Sequence, residues 1–260
     1  MTNMYLFLTL LSLFQQPAIP LAVSRYRLWY PPTGAPVSLV SYAVPLSSLS
    51  YESDQGQPAA RLAVAWRERD GVHGEWFDTT LARMYYPQAR SANAYLQALI
   101  VAERGSNADS WSFGIMQGEE HRGVVADSAQ PLGDGPLTLS DVVIGDSTQH
   151  FAWIVLGDSI VLAPRGLVSR NIVVDLFVQL RSTIEVKDAR TSVAVFRVNG
   201  NRRAVEPDLQ IAWQGVVVPG ITPIHRGLDI SRLDVGEYDL VITVNGGGSE
   251  TVRSRRMVVR

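Results

Sequence analysis

The 260-residue sequence contains no cysteine, which excludes disulfide frameworks, thiolate zinc sites and cysteine nucleophiles. Charge is sparse as well: 18% of residues are charged and the formal net charge is −2. Nucleic-acid and anionic-membrane surfaces need clustered positive charge, so neither is expected as a partner. Lys187 is the single lysine, leaving arginine to carry the positive charge. The histidines, His73, His121, His150 and His225, are scattered without ligand spacing such as His-x-x-x-His, so no metal site is expected. A long apolar run is also missing. Met4 to Phe14 is apolar but too short to cross a bilayer as a helix. No other stretch is long and apolar enough, so the mature chain is expected to have no membrane span.

What is present is an ordinary folding composition, 46% hydrophobic, in a chain long enough for two domains with separate cores. The short apolar run "MYLFLTLLSLF" suits the h-region of a signal peptide. "PAIPLAVS" follows, its prolines breaking the helix and Ala22-x-Ser24 offering small residues for cleavage. Residues 1–24 therefore read as a signal peptide and the chain as exported, periplasmic or at the cell surface. Met1 to Asn3 lack Lys or Arg, however, and the competing reading is a buried first strand.

After Arg25 the chain reads as short strands separated by turn residues. "SLVSYAVP" is a strand halted by Pro45, and Leu62, Val64 and Trp66 share one face before a turn at Asp70-Gly71. "AYLQALIVAE" is apolar on both faces and reads as a central strand, with a helix as the competing assignment. "WSFGIM" alternates. In "NIVVDLFVQL", Ile172, Val174, Leu176, Val178 and Leu180 share a face while Asp175 and Gln179 point away. Turns are expected at Asn199-Gly200 and in the glycine run 245–248 before a last strand ending at Val259. No sustained helical periodicity and no strand–helix–strand alternation appear, so the fold class is all-β. Gly236-x-Tyr238 fits the tyrosine corner of immunoglobulin-like sandwiches, whose hydroxyl bonds back to nearby backbone. The alternative is a simple strand aromatic. The Gly-, Pro-, Asp- and Ser-rich stretch 130–150 separates two halves. The expected architecture is two tandem antiparallel immunoglobulin/fibronectin-III-like β-sandwiches, 25–145 and 146–260.

Gly-Asp-Ser occurs twice, ending at Ser147 and Ser159. Esterases that present a nucleophile this way follow it with a helix and keep Asp-x-x-His near the C-terminus. Here another apolar run follows, and Thr222 stands three residues before His225. The tripeptide then reads as a turn, no catalytic residue is assigned, and a serine hydrolase is the third reading. "DSAQPLGDGP" lacks calcium-loop spacing, and "NGGGSE" lacks the lysine and helix of a phosphate site, so no cofactor is expected. Two surfaces stand out for binding. Trp29 and Tyr30, flanked by prolines, could stack on a glycan or peptide, and Arg253, Arg255 and Met257 lie on a basic last strand suited to edge pairing.

"SLVSYAVPLSSLSYES", "PLTLSDVVIG", and "VVDLFVQLRS" followed by "LDVGEYDLVITV" resemble the region that precedes the helical module in GWxTD domain-containing bacterial proteins. The likeness spans most of 37–260, but Gly-Trp-x-Thr-Asp itself is absent, so nothing that module does carries over. The resemblance implies an exported bacterial envelope protein of tandem β-sandwiches, with Leu139-Ser140-Asp141 and the Gly-Asp-Ser after it as an interdomain connection. The expected function is a non-enzymatic envelope scaffold or protein-interaction module with a protein partner. A carbohydrate-binding module using exposed aromatics is the alternative, with a glycan as partner.

Overall fold

A computed structural model describes residues 21–54, 57–70, 73–85, 95–102, 110–117, 120–128, 131–146, 153–155, 157–163 and 166–260. The expected h-region, Ser147 and His150 lie outside them. In chain order the first strands are β1 (Ala22–Tyr30), β2 (Ala35–Pro45), β3 (Glu52–Asp54), β4 (Gln57–Asp70), β5 (His73–Tyr85), β6 (Tyr95–Ala102), β7 (Ser110–Gln117) and β8 (Glu120–Ser128). Short strands follow: β9 (Leu137–Leu139), β10 (Val143–Asp146), β11 (Trp153–Val155), β12 (Asp158–Ile160) and β13 (Leu167–Val168). The rest are β14 (Val173–Ser182), β15 (Val186–Asn199), β16 (Arg202–Arg203), β17 (Leu209–Val217), β18 (Gly220–Asp229), β19 (Gly236–Gly246) and β20 (Ser249–Val259). Helical structure among the described residues is one 3-10 turn, Leu46–Ser48. The fold is all-β.

By contacts the chain divides into two units. One includes Ala43–Leu96 and Ser110–Ala129, the other Ala22–Tyr42, Gln97–Asp109 and Gln130–Arg260. The expected boundary at 145/146 falls inside β10, between Gly145 and Asp146, and β10 belongs to the second unit with everything from Gln130 on.

In the first unit, an antiparallel sheet runs β3-β4-β7-β8, with β5 also on β4. Period-two alternation builds it. Leu62, Val64 and Trp66 of β4 and Trp111, Phe113 and Ile115 of β7 are buried, with Val64 opposite Ile115 and Trp66 opposite Phe113. The β4–β5 register closes on Asp70 opposite His73, leaving a two-residue connection where Asp70-Gly71 is expected to turn.

The second unit is layered. One sheet orders β10-β14-β18 with β9 also on β14, and a second orders β13-β20-β19-β15-β16 with β17 also on β15. Val174, Leu176, Val178 and Leu180 of β14 pack with Val193 and Val195 of β15 and Leu240, Ile242 and Val244 of β19 into the main core. Phe177, on the opposite face of β14, joins Tyr26, Leu28, Val37, Leu39, Val143 and Ile160 in a second core. A three-stranded sheet β1-β2-β6 supplies the first four of these. β14 is thus buried on both faces. Its polar residue Gln179 is satisfied there, accepting from the Trp29 amide at 2.6 Å. The segment "AYLQALIVAE" is a strand, β6, but it stands at the end of its sheet rather than the centre, and Val101 is exposed.

Turn chemistry matches the sequence. Gly246 pairs with Ser249, and the two residues between them, Gly247 and Gly248, have φ of 57° and 76°, the primed turn that suits a twisted hairpin. Tyr238 is buried and its hydroxyl donates to the Asp234 carbonyl at 2.9 Å, the corner bond.

Candidate functional site

From Leu209 to Ile224 the sequence carries no charged residue, and the stretch forms β17, the connection, and most of β18. Among the described residues β17 pairs on one side only, with β15: Leu209 opposite Val195, Ile211 opposite Val193, Trp213 opposite Thr191 and Val217 opposite Val186. Residues directly opposite share a face, so Leu209, Ile211, Trp213 and Val217 look inward, and Gln210, Ala212, Gln214 and Val216 outward. Among the described strands β18 pairs with β14 alone, placing Thr222, Ile224 and Arg226 opposite Leu180, Val178 and Leu176. The two strands end their sheets on the same side of the main core, and between them opens a groove of about 290 Å³. Trp213, Ile224, Leu180, Thr191, Thr222 and Arg226 line it. The Arg226 guanidinium lies 5.3 Å from the Trp213 ring centroid, a cation–π contact. It also donates to the His225 carbonyl at 2.9 Å, and no carboxylate among the described residues pairs with it.

Three sheet edges differ in how they are shielded. Pro223 stands in β18, where a missing N–H blunts an added strand. β20 is covered at its end by β13, in parallel register Leu167–Val258 and Val168–Val259. β17 has neither proline nor charge along its length, and Ile211 and Val216 are exposed, the latter at 63%.

The sequence-predicted surfaces lie elsewhere. Trp29 is 2% exposed, within the wall of β1, while Tyr30 at the following turn is 42% exposed. The two aromatics therefore form no shared stacking face. Arg253 is 6% exposed; its guanidinium donates to the Leu139 carbonyl at 3.0 Å and the Pro131 carbonyl at 2.7 Å. Burial lowers its pKa from the ordinary arginine range, against the opposing pull of Asp141. Arg255 donates to Ser24 Oγ at 2.5 Å and lies over the Tyr26 ring. Met257 is fully buried in the main core. These residues fasten β20 to the rest of the unit rather than present a surface. Arg256 is the exposed member, its Nε on Asp239 at 2.6 Å and its pKa raised chiefly by that bond.

Gly145-Asp146 of the first Gly-Asp-Ser ends β10, and the second forms a turn into β12. A Cβ on Gly145 would overlap the backbone of Val161, and Asp146 is buried, accepting from Ser169 Oγ at 2.9 Å. Gly157, with φ of 91°, turns β11 into β12, where Ser159 sits exposed opposite Ile154. His225 Nε2 meets Asp175 Oδ1 at 2.6 Å across β18 and β14. Ser159 and His225 are not brought together. Leu139-Ser140-Asp141 is a seam: the Ser140 amide donates to the Gln179 carbonyl, Ser140 Oγ accepts from the Gln179 amide, and Asp141 accepts from the Arg27 amide at 2.7 Å.

Sequence reasoning missed the β17–β18 groove. The available signal was the run of uncharged residues around Trp213, bounded by Asp208 and Arg226.

No family model matches the chain, and no curated protein matches it. Among solved structures it is similar, over 94% of its length, to a transglutaminase from red sea bream. Identity is 10%, the TM-score is 0.28, and the chain spans 31% of that protein's length. A likeness of that size carries no argument about activity.

Proposed function

We propose that this is an exported, non-enzymatic envelope scaffold or protein-interaction module built from tandem immunoglobulin/fibronectin-III-like sandwiches. Residues 137–259 supply most of the support for the architecture. The order β10-β14-β18 faces β20-β19-β15-β17, β13 runs parallel to β20, and Tyr238 makes a corner bond. The sheet of β3, β4, β5, β7 and β8 is the contribution of residues 52–128. Kinship with the sandwich region of GWxTD domain-containing proteins belongs to the same reading, as does a periplasmic or cell-surface location.

The observation that carries the functional reading is the β17 edge. A strand of uncharged residues whose second side no described strand pairs, with exposed Ile211 and Val216, is a template for another chain. Crosslinked capture from envelope extract, with the full chain as bait and washes at low and high salt, tests this. A single protein partner that survives high salt and is lost with Val216→Lys supports it. Recovery of polysaccharide without protein overturns it in favour of the glycan reading. N-terminal sequencing of the chain from a periplasmic fraction tests export, with the processed end expected at the start of β1, because Ser24 is held by Arg255 in the fold.

A further inference from the structure

We propose that the β17–β18 groove captures an extended segment of a partner protein that carries an acidic side chain between apolar ones, added as a strand along β17. The proposal deepens, and rests on, the interaction-module reading. Backbone hydrogen bonding to an open edge supplies affinity without sequence preference, so selectivity must come from the side chains beside it. Here those are few and distinct. Trp213 and Ile224 offer apolar contact, and Arg226 is the one charged lining residue. Its guanidinium is held over Trp213 and bonded to its own backbone neighbour, with no carboxylate partner among the described residues. A carboxylate entering the groove gains charge-assisted hydrogen bonds from it, whereas an ammonium meets a like charge.

A second copy of the chain suits this face less well. Docking β17 on β17 brings a strand with no acidic residue between Leu209 and Ile224, and adds a second Arg226 to the patch. The groove's cation would remain unmatched.

The test uses the full chain and labelled, capped heptapeptides of alternating valine and threonine with Glu, Gln or Lys at the centre, read by fluorescence anisotropy. The Glu peptide is expected to bind about tenfold more tightly than the Lys peptide at low salt, with the gap narrowing as salt rises. Arg226→Glu should reverse the order, and its unchanged circular dichroism would show that the fold survives. Val216→Lys should weaken binding of the Glu and Gln peptides. Equal affinities, no binding by any peptide, or a Glu preference that persists in Arg226→Glu overturns the proposal. Concentration-dependent dimerisation that Val216→Lys abolishes, without peptide binding, reassigns the face to a second copy. If no peptide binds while envelope capture still yields a partner lost with Val216→Lys, the proposal falls and the interaction reading stands.

Discussion

The sheet containing β15, β19 and β20 has two sides, and each is in structure the reverse of what its sequence suggests. On the β20 side, three arginines suggest a solvated edge, yet Arg253 and Arg255 are turned inward to hold Pro131, Leu139 and Ser24. On the β17 side, an uncharged strand with a tryptophan suggests an interior, yet most of it is exposed. Charge on an edge strand has two uses, to repel an added strand or to fasten a neighbouring segment. Only the acceptors decide between them, and here they come from residues 114 and 122 positions away.

The comparison breaks most severely at Met257. Met257→Pro removes a fully buried side chain opposite Tyr238 and puts a ring in a strand that pairs with β19 along its whole length. The expected cost is at least ~3 kcal/mol, enough to unfold the second unit, as denaturant titration would show. Partner binding lost in this variant reports unfolding, not an edge contact. Arg253→Ala comes next. It strands the Leu139 and Pro131 carbonyls of a buried segment and should cost about 2–4 kcal/mol. A stability change below about 0.5 kcal/mol, the range of ordinary surface substitutions, would return β20 to the role of a solvated edge.

Much of the fold was legible because period-two burial is a local property. Leu62, Val64 and Trp66, and the inward face of β14, follow from alternation alone, while the Gly247-Gly248 turn and the Tyr238 corner follow from equally local glycine and Gly-x-Tyr signals. What alternation could not show was that β14 is covered on its second face too. Phe177 and Gln179 look like outward positions until β1 supplies Tyr26, Leu28 and the Trp29 amide some 150 residues away in sequence. The same long-range pairing hides Trp29, which its proline neighbours made look exposed. The groove was illegible for a related reason: β17 and β18 are edges only because no described strand pairs with their other sides, and topology is not written in a single segment.

A smaller effect separates the corner from both edges. Tyr238→Phe removes one hydrogen bond and should cost about 1 kcal/mol. It should also change the alkaline limb. Burial, first among several causes, raises the Tyr238 pKa, and burial likewise pushes up Tyr42 in the same unit. A raised phenol pKa means that the fold favours the neutral form. This contribution is complete below the ordinary tyrosine value and is lost as pH rises through the folded one. Stability measured upward from neutral pH should therefore decline beyond pH ~10, less steeply in Tyr238→Phe, with Tyr42 contributing in the same direction. An unchanged alkaline slope would remove Tyr238 from this account.

The smallest change in stability tests the other side of the sheet. Val216 points outward from β17 and is 63% exposed, so Val216→Lys leaves the main core intact and should alter stability by less than about 0.5 kcal/mol. Its consequence for association is the reverse of its size, because a lysine on an open edge costs a second strand a desolvated charge. The matching substitution on β20, Val252→Lys, is also at an exposed position, at 43%. If the two sides differ as described, Val216→Lys lowers partner capture and Val252→Lys does not, with both variants melting within a few degrees of the parent. Equal loss in both would mean that added charge anywhere on this sheet disturbs association. The asymmetry between a fastened edge and an open one would then have no functional content.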